Sequence, residues 1–343
     1  MPNHEFKTYC TGDPLIDNEI KLLCKKYSHT QTEEYFRQLF TTVVRLYLDK
    51  AEEVDLHLIN VALKELRHAL KVFTPYRDKR KVVVFGSHRT PTDSHDYQLA
   101  EDFSREMADR GYMVITGGGG GIMEAGNKGA GDKSFAAKIR ISAEQTNQYA
   151  PKGERLINFN YFFNRKLIFI KESDATVLCP GGFGTHDEGF EVLTLLQTGR
   201  CFPRPIVMLE SKNGYWEAWL KFVKDKLVRG DFIRPIDLKL FKIVKTAKAA
   251  VNEIVNFYSV YHSIRYSKDL TVIRLERQLT KADYQLLNKK FKDLLAKGEI
   301  EPSDALPVEK KNDEFPHLPR LKMYFNRQNY VRLLELIRQI NSL

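Results

Sequence analysis

No apolar run in this chain approaches the roughly 20 residues that a membrane-spanning helix needs, which excludes a helical integral membrane protein. The opening "MPNHEFKTYCTGDPLIDNE" lacks the basic flank and apolar core of a secretion signal, so a cytoplasmic location is expected. Cysteine is scarce. Cys10, Cys24, Cys179 and Cys201 are scattered with no CxxC spacing, which argues against a zinc site or redox dithiol and for free structural thiols. Glycine and proline are missing from residues 15 to 72, and no internal repeat is present. Acidic residues are in deficit: 44 Asp and Glu face 54 Lys and Arg, a net charge of +10 that favours anionic partners. A phosphorylated metabolite, single-stranded nucleic acid and plain solubility all fit that balance. The basic run "PYRDKRK" (75 to 81) reads as a solvated segment beside a linker.

What is there begins with helices. With 343 residues and 43% hydrophobic content, the chain can bury two or three domain cores. Residues 15 to about 72 alternate apolar and charged positions at helical spacing, and residues 1–78 are expected to be a helical N-terminal region. From "KVVVFGSH" onward, short β-branched strands alternate with helices expected over 94–110, from Ile122, and over 161–172, 185–198 and 215–228. This predicts an α/β fold: a Rossmann-like, doubly wound parallel sheet over residues 79–262. Residues 263–343, with the strands "LTVIRLER" and "RLKMYF" and helices expected over 280–296 and 327–341, read as a small α+β unit. Its charged, proline-containing stretch Gly298 to Pro319 reads as a loop.

Three of the Rossmann strands run into glycine-bearing turns: "FGS", "TGGGGGIMEAGNKGA" and "PGGFGT". In such sheets ligands bind beyond the carboxyl ends of the strands, where glycine turns let main-chain N–H groups approach an anion and a helix start adds its positive end. Two such turns at one crevice predict a phosphate site. The helix opened by Thr185 carries Asp187, Glu188 and Glu191. Glu188 and Glu191 share one side over its N-terminus, while Phe190, Leu193 and Leu196 are expected to face the core. Asp187 is the acid best explained as a complement to the helix dipole. A carboxylate beside a phosphate pocket points to another part of the ligand, such as ribose hydroxyls or an attacking water. "NYFFNRKLIFIKES" places Asn164, Arg165 and Lys166 near the start of a helix at the same end of the sheet, and Arg165 stays charged in a fixed donor fork.

"FFNRK" followed by "PGGFGTHDE" resembles the Lonely Guy family of cytokinin riboside 5′-monophosphate phosphoribohydrolases, whose hallmark is an Arg-Lys pair followed by PGGxGTxxE. The likeness runs from "VVVFGSHRTP" to roughly residue 260, about half the chain, and the extra terminal regions resemble a longer bacterial branch linked to nucleotide 5′-monophosphate nucleosidase activity. The resemblance implies Arg165 and Glu188 as the essential pair. It implies substrate contacts from Gly181, Gly182, Gly184, Thr185, Gly118, Gly119, Gly120 and Gly121, with Lys166, Glu124, Asn127 and Glu191 nearby. His186 stands where the family has an apolar residue, and Asn164 replaces an acid found in plant-type members; both bear on base preference.

The expected reaction is hydrolysis of a nucleoside 5′-monophosphate, AMP-like or a cytokinin riboside monophosphate, to free base and ribose 5-phosphate, without metal or redox cofactor. The resemblance also implies a homodimer or higher homo-oligomer. The older "lysine decarboxylase" label of the family implies pyridoxal phosphate and a Schiff-base lysine, for which only Lys166 is available near the turns. Two rival classes are a single-stranded nucleic-acid binder, since "VVVFGSHRTPTD" also resembles the DNA-processing proteins of natural transformation, and a nucleotide sensor that does not cleave. Arg165 is compatible with steadying Glu188 or with polarising the departing base.

Overall fold

A computed structural model describes residues 9–27, 32–141, 145–311 and 314–343. It divides into two compact units, Met1–Lys64 and Glu65–Leu343. In the first, Pro14 and the glycine- and proline-free stretch after it form α1 (Pro14–Tyr27), α2 (Glu33–Leu48) and the start of α3 (Glu53–Phe73). The Tyr9 hydroxyl meets Thr42 Oγ1 at 2.9 Å and Arg37 donates to the Tyr9 carbonyl at 2.8 Å, tying the segment ahead of α1 to α2.

The second unit opens with the last turns of α3, where Ala69, Val72 and Phe73 are buried at helical spacing. Phe73 meets Phe135 with ring centroids 4.5 Å apart. The alternating strands and helices follow: β1 (Lys81–Phe85), α4 (His95–Asp109), β2 (Met113–Thr116), α5 (Ile122–Ala130), β3 (Ser134–Ile139), β4 (Leu156–Phe159), α6 (Phe162–Lys171), β5 (Ala175–Leu178), α7 (Phe183–Gln197), β6 (Ile206–Leu209), α8 (Tyr215–Phe222), β7 (Phe241–Val244) and α9 (Ala247–Phe257). The seven strands form one parallel sheet in the order β4-β3-β2-β1-β5-β6-β7. β1 is central, and its alternate residues serve two cores: Val82 and Val84 on one face, Val83 and Phe85 on the other. A strand covered on both faces must be apolar throughout, which is why "KVVVF" was legible. Strand order reverses between β1 and β5, so the crevice at their carboxyl ends is the topological switch point of the sheet.

Several expectations need correction. β4 is a seventh strand that the sequence reading lacks. It is a four-residue edge strand whose residues alternate between buried and more exposed, too short for a period-2 signal. The helix expected from Thr185 begins two residues earlier, at Phe183, with Gly182 as its N-cap. Its first turn carries no acid, so Asp187 is not a dipole complement. Phe190, expected in the core, is 42% exposed. The helix expected over 215–228 is α-helical only to Phe222 and winds as a π-helix over Val223–Val228.

The chain closes with β8 (Tyr261–Ser267), β9 (Leu270–Leu275), α10 (Lys281–Phe291), β10 (Leu295–Ser303), α11 (Pro307–Lys311), β11 (Arg320–Phe325) and α12 (Tyr330–Asn341). The strands make an antiparallel sheet in the order β10-β11-β9-β8, and its apolar face shares one core with the parallel sheet through residues such as Leu333, Ile337, Leu196 and Trp216. The supposed helix over 280–296 ends at Phe291, and Gly298 to Pro319 is not a loop but holds most of β10 and all of α11. Its charge has a buried use. Glu309 of α11 is fully buried between Arg274 (2.5 Å) and Arg320 (3.2 Å) and accepts the Leu306 N–H at 2.9 Å. Among the described residues no helix is long and apolar enough to cross a membrane.

Candidate active site

The turns after β1, β2 and β5 are locked together by their own backbones at the switch point. Cys179 N donates to Phe85 O at 2.8 Å, Ser87 N to Pro180 O at 3.0 Å, and Ile122 N to Ser87 O at 3.0 Å. Gly121 sits at φ 60°, and a Cβ there would lie 2.3 Å from the Ser87 carbonyl oxygen, so neither the backbone conformation nor the space admits a side chain. Gly118, at φ 74°, donates its N–H to Thr116 Oγ1 at 3.0 Å. Gly120 lies near the His88 carbonyl, 3.3 Å from where its Cβ would be.

A buried polar network behind the pentaglycine turn holds it in shape. Thr116 Oγ1 donates to Asn127 Oδ1 at 2.9 Å, and the Asn147 amide nitrogen reaches Asn127 Oδ1 (3.0 Å), Gly118 O (3.1 Å) and Gly119 O (2.9 Å). Asn127, expected near the ligand, is fully buried and also donates to Phe135 O at 3.3 Å. Its amide is spent on shaping the turn. Glu124, in the first turn of α5, pairs loosely with Gln148 at 3.5 Å.

The glycines of the β5 turn divide into two kinds. A Cβ on Gly181 would lie 2.1 Å from Thr185 Oγ1, so this glycine is demanded by packing. Gly182 and Gly184 have nothing within 4 Å of a Cβ position: they border open space at the start of α7. A helix start with bare backbone and free space before it can seat an anion. His186 does not join that space. Its Nε2 meets the Tyr215 hydroxyl at 2.7 Å, and the same hydroxyl donates to Gly181 O, so His186 anchors the turn through α8. Burial lowers its pKa.

The charged residues converge from α6 and α7. Arg165 Nη2 lies 3.9 Å from Glu188 Oε1, and Arg165 Nη1 lies 3.9 Å from where a Gly117 Cβ would be, so the guanidinium sits near both the pentaglycine turn and the carboxylate. Its face also lies over the Phe162 and Phe169 rings, at 5.0 and 5.5 Å. Lys166 Nζ is 2.7 Å from Asp187, 2.8 Å from Glu191 and 3.6 Å from Glu188 Oε2. Glu188 is only 4% exposed, and its Oε2 accepts no hydrogen bond from any described group. Burial pushes its pKa up to about 7 although Lys166 and Arg165 pull it down. Burial also pulls the Lys166 pKa down, but Asp187, Glu191 and Glu188 leave it above its ordinary value. An ammonium held by three carboxylates is the wrong form for Schiff-base chemistry, which needs a neutral amine, so Lys166 does not fit pyridoxal phosphate.

The expected Arg165, Lys166, Glu188, Glu191 and the β5 turn are thus brought together. Asn147 and Tyr215 hold the glycine turns and Glu65 holds the start of α6, and none of the three is marked by the sequence motifs. For Glu65 a signal existed: it stands in register with Ala69, Val72 and Phe73, a carboxylate on an apolar stripe.

The family profile described as "Possible lysine decarboxylase" matches residues 113–254. The chain is 27% identical over 184 residues to the cytokinin riboside 5′-monophosphate phosphoribohydrolase LOG3 of Arabidopsis thaliana, covering 52% of this chain and 83% of that protein. It is 26% identical over 223 residues to the probable cytokinin riboside 5′-monophosphate phosphoribohydrolase LOGL5 of Oryza sativa subsp. japonica, covering 62% of this chain and 83% of the relative. Among solved structures, a molybdenum cofactor binding protein of Rippkaea orientalis aligns with a TM-score of 0.36 at 18% identity, over 51% of this chain and 94% of that one.

Proposed function

We propose, from the premise that residues 113–254 form a domain of the Lonely Guy family within a longer chain, that this protein hydrolyses the N-glycosidic bond of nucleoside 5′-monophosphates. AMP is the first substrate to try and cytokinin riboside monophosphate the second. The observation that carries the reading is Glu188: a buried carboxylate with an oxygen accepting no hydrogen bond, faced by Arg165 and Lys166, one helical turn beyond the open Gly182–Gly184 turn.

In this reading the phosphate sits at the start of α7 and supplies binding energy that positions the sugar. As the bond between C1′ and the base nitrogen breaks, positive charge grows on the ribose, and the Glu188 carboxylate stabilises it as in glycosidases. Water then adds to C1′. Its proton passes to Glu188, whose pKa of about 7 suits it to accept and return a proton at neutral pH, and ends on the released base. The Arg165 guanidinium, 3.9 Å from Glu188, either steadies that carboxylate or polarises the departing base.

The test is a panel of nucleoside 5′-monophosphates, with free base separated by chromatography. If two backbone N–H groups hold the phosphate, AMP is expected to exceed adenosine in kcat/KM by about a hundredfold or more. Gly182→Leu, which fills the open space, is expected to erase most of that preference. Equal turnover of AMP and adenosine would remove the phosphate seat, and tight monophosphate binding with no released base would favour a sensor.

The same reading includes assembly. Phe162, Phe163 and Leu167 of α6, the helix that carries Arg165 and Lys166, are all exposed, an apolar surface that a second copy would cover. A homodimer or larger homo-oligomer is expected by analytical ultracentrifugation. A fully active monomer at micromolar concentration contradicts it.

A further inference from the structure

α6 carries both cations of the cluster, yet it has no side-chain cap of its own. Its N-cap, Tyr161, makes no capping hydrogen bond. Its start is instead held by a side chain from far away in the chain. Glu65, on α3 and 8% exposed, accepts the Asn160 N–H at 2.6 Å and the Asn160 side-chain amide at 2.7 Å on Oε1, and the Asn164 side-chain amide at 2.9 Å on Oε2. One carboxylate thereby grips the residue before the N-cap and the third residue of the helix. Arg165 follows Asn164 directly, so the rotation of α6 about its axis decides whether the guanidinium meets Glu188. A negative charge at this helix start is also favourable to the helix dipole.

We infer that Glu65 is a positioning residue for the site: through Asn160 and Asn164 it sets the first turn of α6 and with it the placement of Arg165 against Glu188. This rests on the hydrolase reading of Arg165 and Glu188 given above. Glu65 lies outside residues 113–254, so part of the control of this site comes from the chain's N-terminal extension. The pairing also accounts for the amide at Asn164. An acid there would set two buried carboxylates against each other, whereas an amide donates to Glu65.

The test is a cycle of Glu65→Gln, Asn164→Asp and the double variant, assayed for base release from AMP. In the double variant the donor and acceptor exchange places, and the Gln carbonyl still accepts from Asn160. Each single variant is expected to lower kcat about ten- to a hundredfold through misplacement of Arg165, with KM changed less. The double variant should return to within a few-fold of the parent, because the two changes compensate. Charged groups facing Glu188 are Arg165 and Lys166 from α6 and Asp187 and Glu191 from its own helix. If Arg165 swings away in Glu65→Gln, the acid limb of the kcat profile moves to higher pH, and it returns in the double variant. A structural role alone would leave that limb in place. Parent kcat and an unmoved limb in Glu65→Gln overturn the proposal, as does a folded double variant with no recovery. If Glu65→Gln fails to fold, Asn164→Asp and the double variant decide by the same criteria. Should the parent release no base, the hydrolase reading falls and amide hydrogen exchange over 161–165 decides: faster exchange in Glu65→Gln restored in the double variant sustains the clamp, and unchanged exchange overturns it.

Discussion

Glu188→Gln is expected to leave AMP binding within a few-fold of the parent while lowering base release by about a hundred- to a thousandfold, the usual effect of removing one preorganised transition-state group. The amide keeps the shape and the packing of α7 but removes the charge that opposes the growing positive sugar. Calorimetry measures the affinity and chromatography the released base. Base release at the parent rate would end the assignment. The pH profile supplies a second readout. Glu188 acts as an anion and burial holds its pKa at about 7, so parent kcat should rise with pH through that value, and the limb should vanish in Glu188→Gln. The stability effect has the opposite sign. A carboxyl with a raised folded pKa binds its proton more readily folded than unfolded, so its contribution to stability is lost as pH rises from its ordinary value of 4.5 to about 7. The charge that serves turnover is the one the fold holds less well.

The second large effect is on stability. Glu309 is fully buried with the Arg274 and Arg320 guanidinium groups, and Arg274 Nε donates to it at 2.9 Å. Glu309→Ala would leave two buried cations without their shared partner, so it is expected to destabilise the protein by about 3–5 kcal/mol. The midpoint of urea unfolding followed by circular dichroism measures it. Glu314, also within 2.8 Å of Arg274, would retain part of that partner's charge. A loss below about 1 kcal/mol would mean the pair is hydrated or rearranges, since exposed ion pairs are worth no more than that. Glu309 belongs to the stretch that reads as a loop, and it shows why that reading fails. Charge and proline are signs of exposure only while each charge keeps its water. Here an acid and two arginines from separate elements satisfy one another inside the unit, a pairing that local composition does not encode.

The parallel sheet was legible because its central strands are buried on both faces and therefore read as unbroken apolar runs, as in "VVVF" and "PIVML". Strands exposed on one face were harder to read. β4, β8 and β10 bury only part of their residues, and in β10 Ile300 is the one fully buried position. The same contrast holds at the candidate site. Glycine, arginine and glutamate at fixed spacing marked the β5 turn and its charged neighbours from the sequence, because backbone access and fixed charge require those residue types wherever they are used. Which glycine faces open space was decided by packing: Gly181 is filled by Thr185 while Gly182 is not. That Asn127 shapes a turn and His186 anchors one through Tyr215 also depended on neighbours 20 and 29 residues away. Glu65 is the plainest case, since its partners lie 95 and 99 residues further along the chain. Spacing along a chain reports only what one helix or strand presents, and a hydrogen bond between elements exists only once folding has brought their surfaces together.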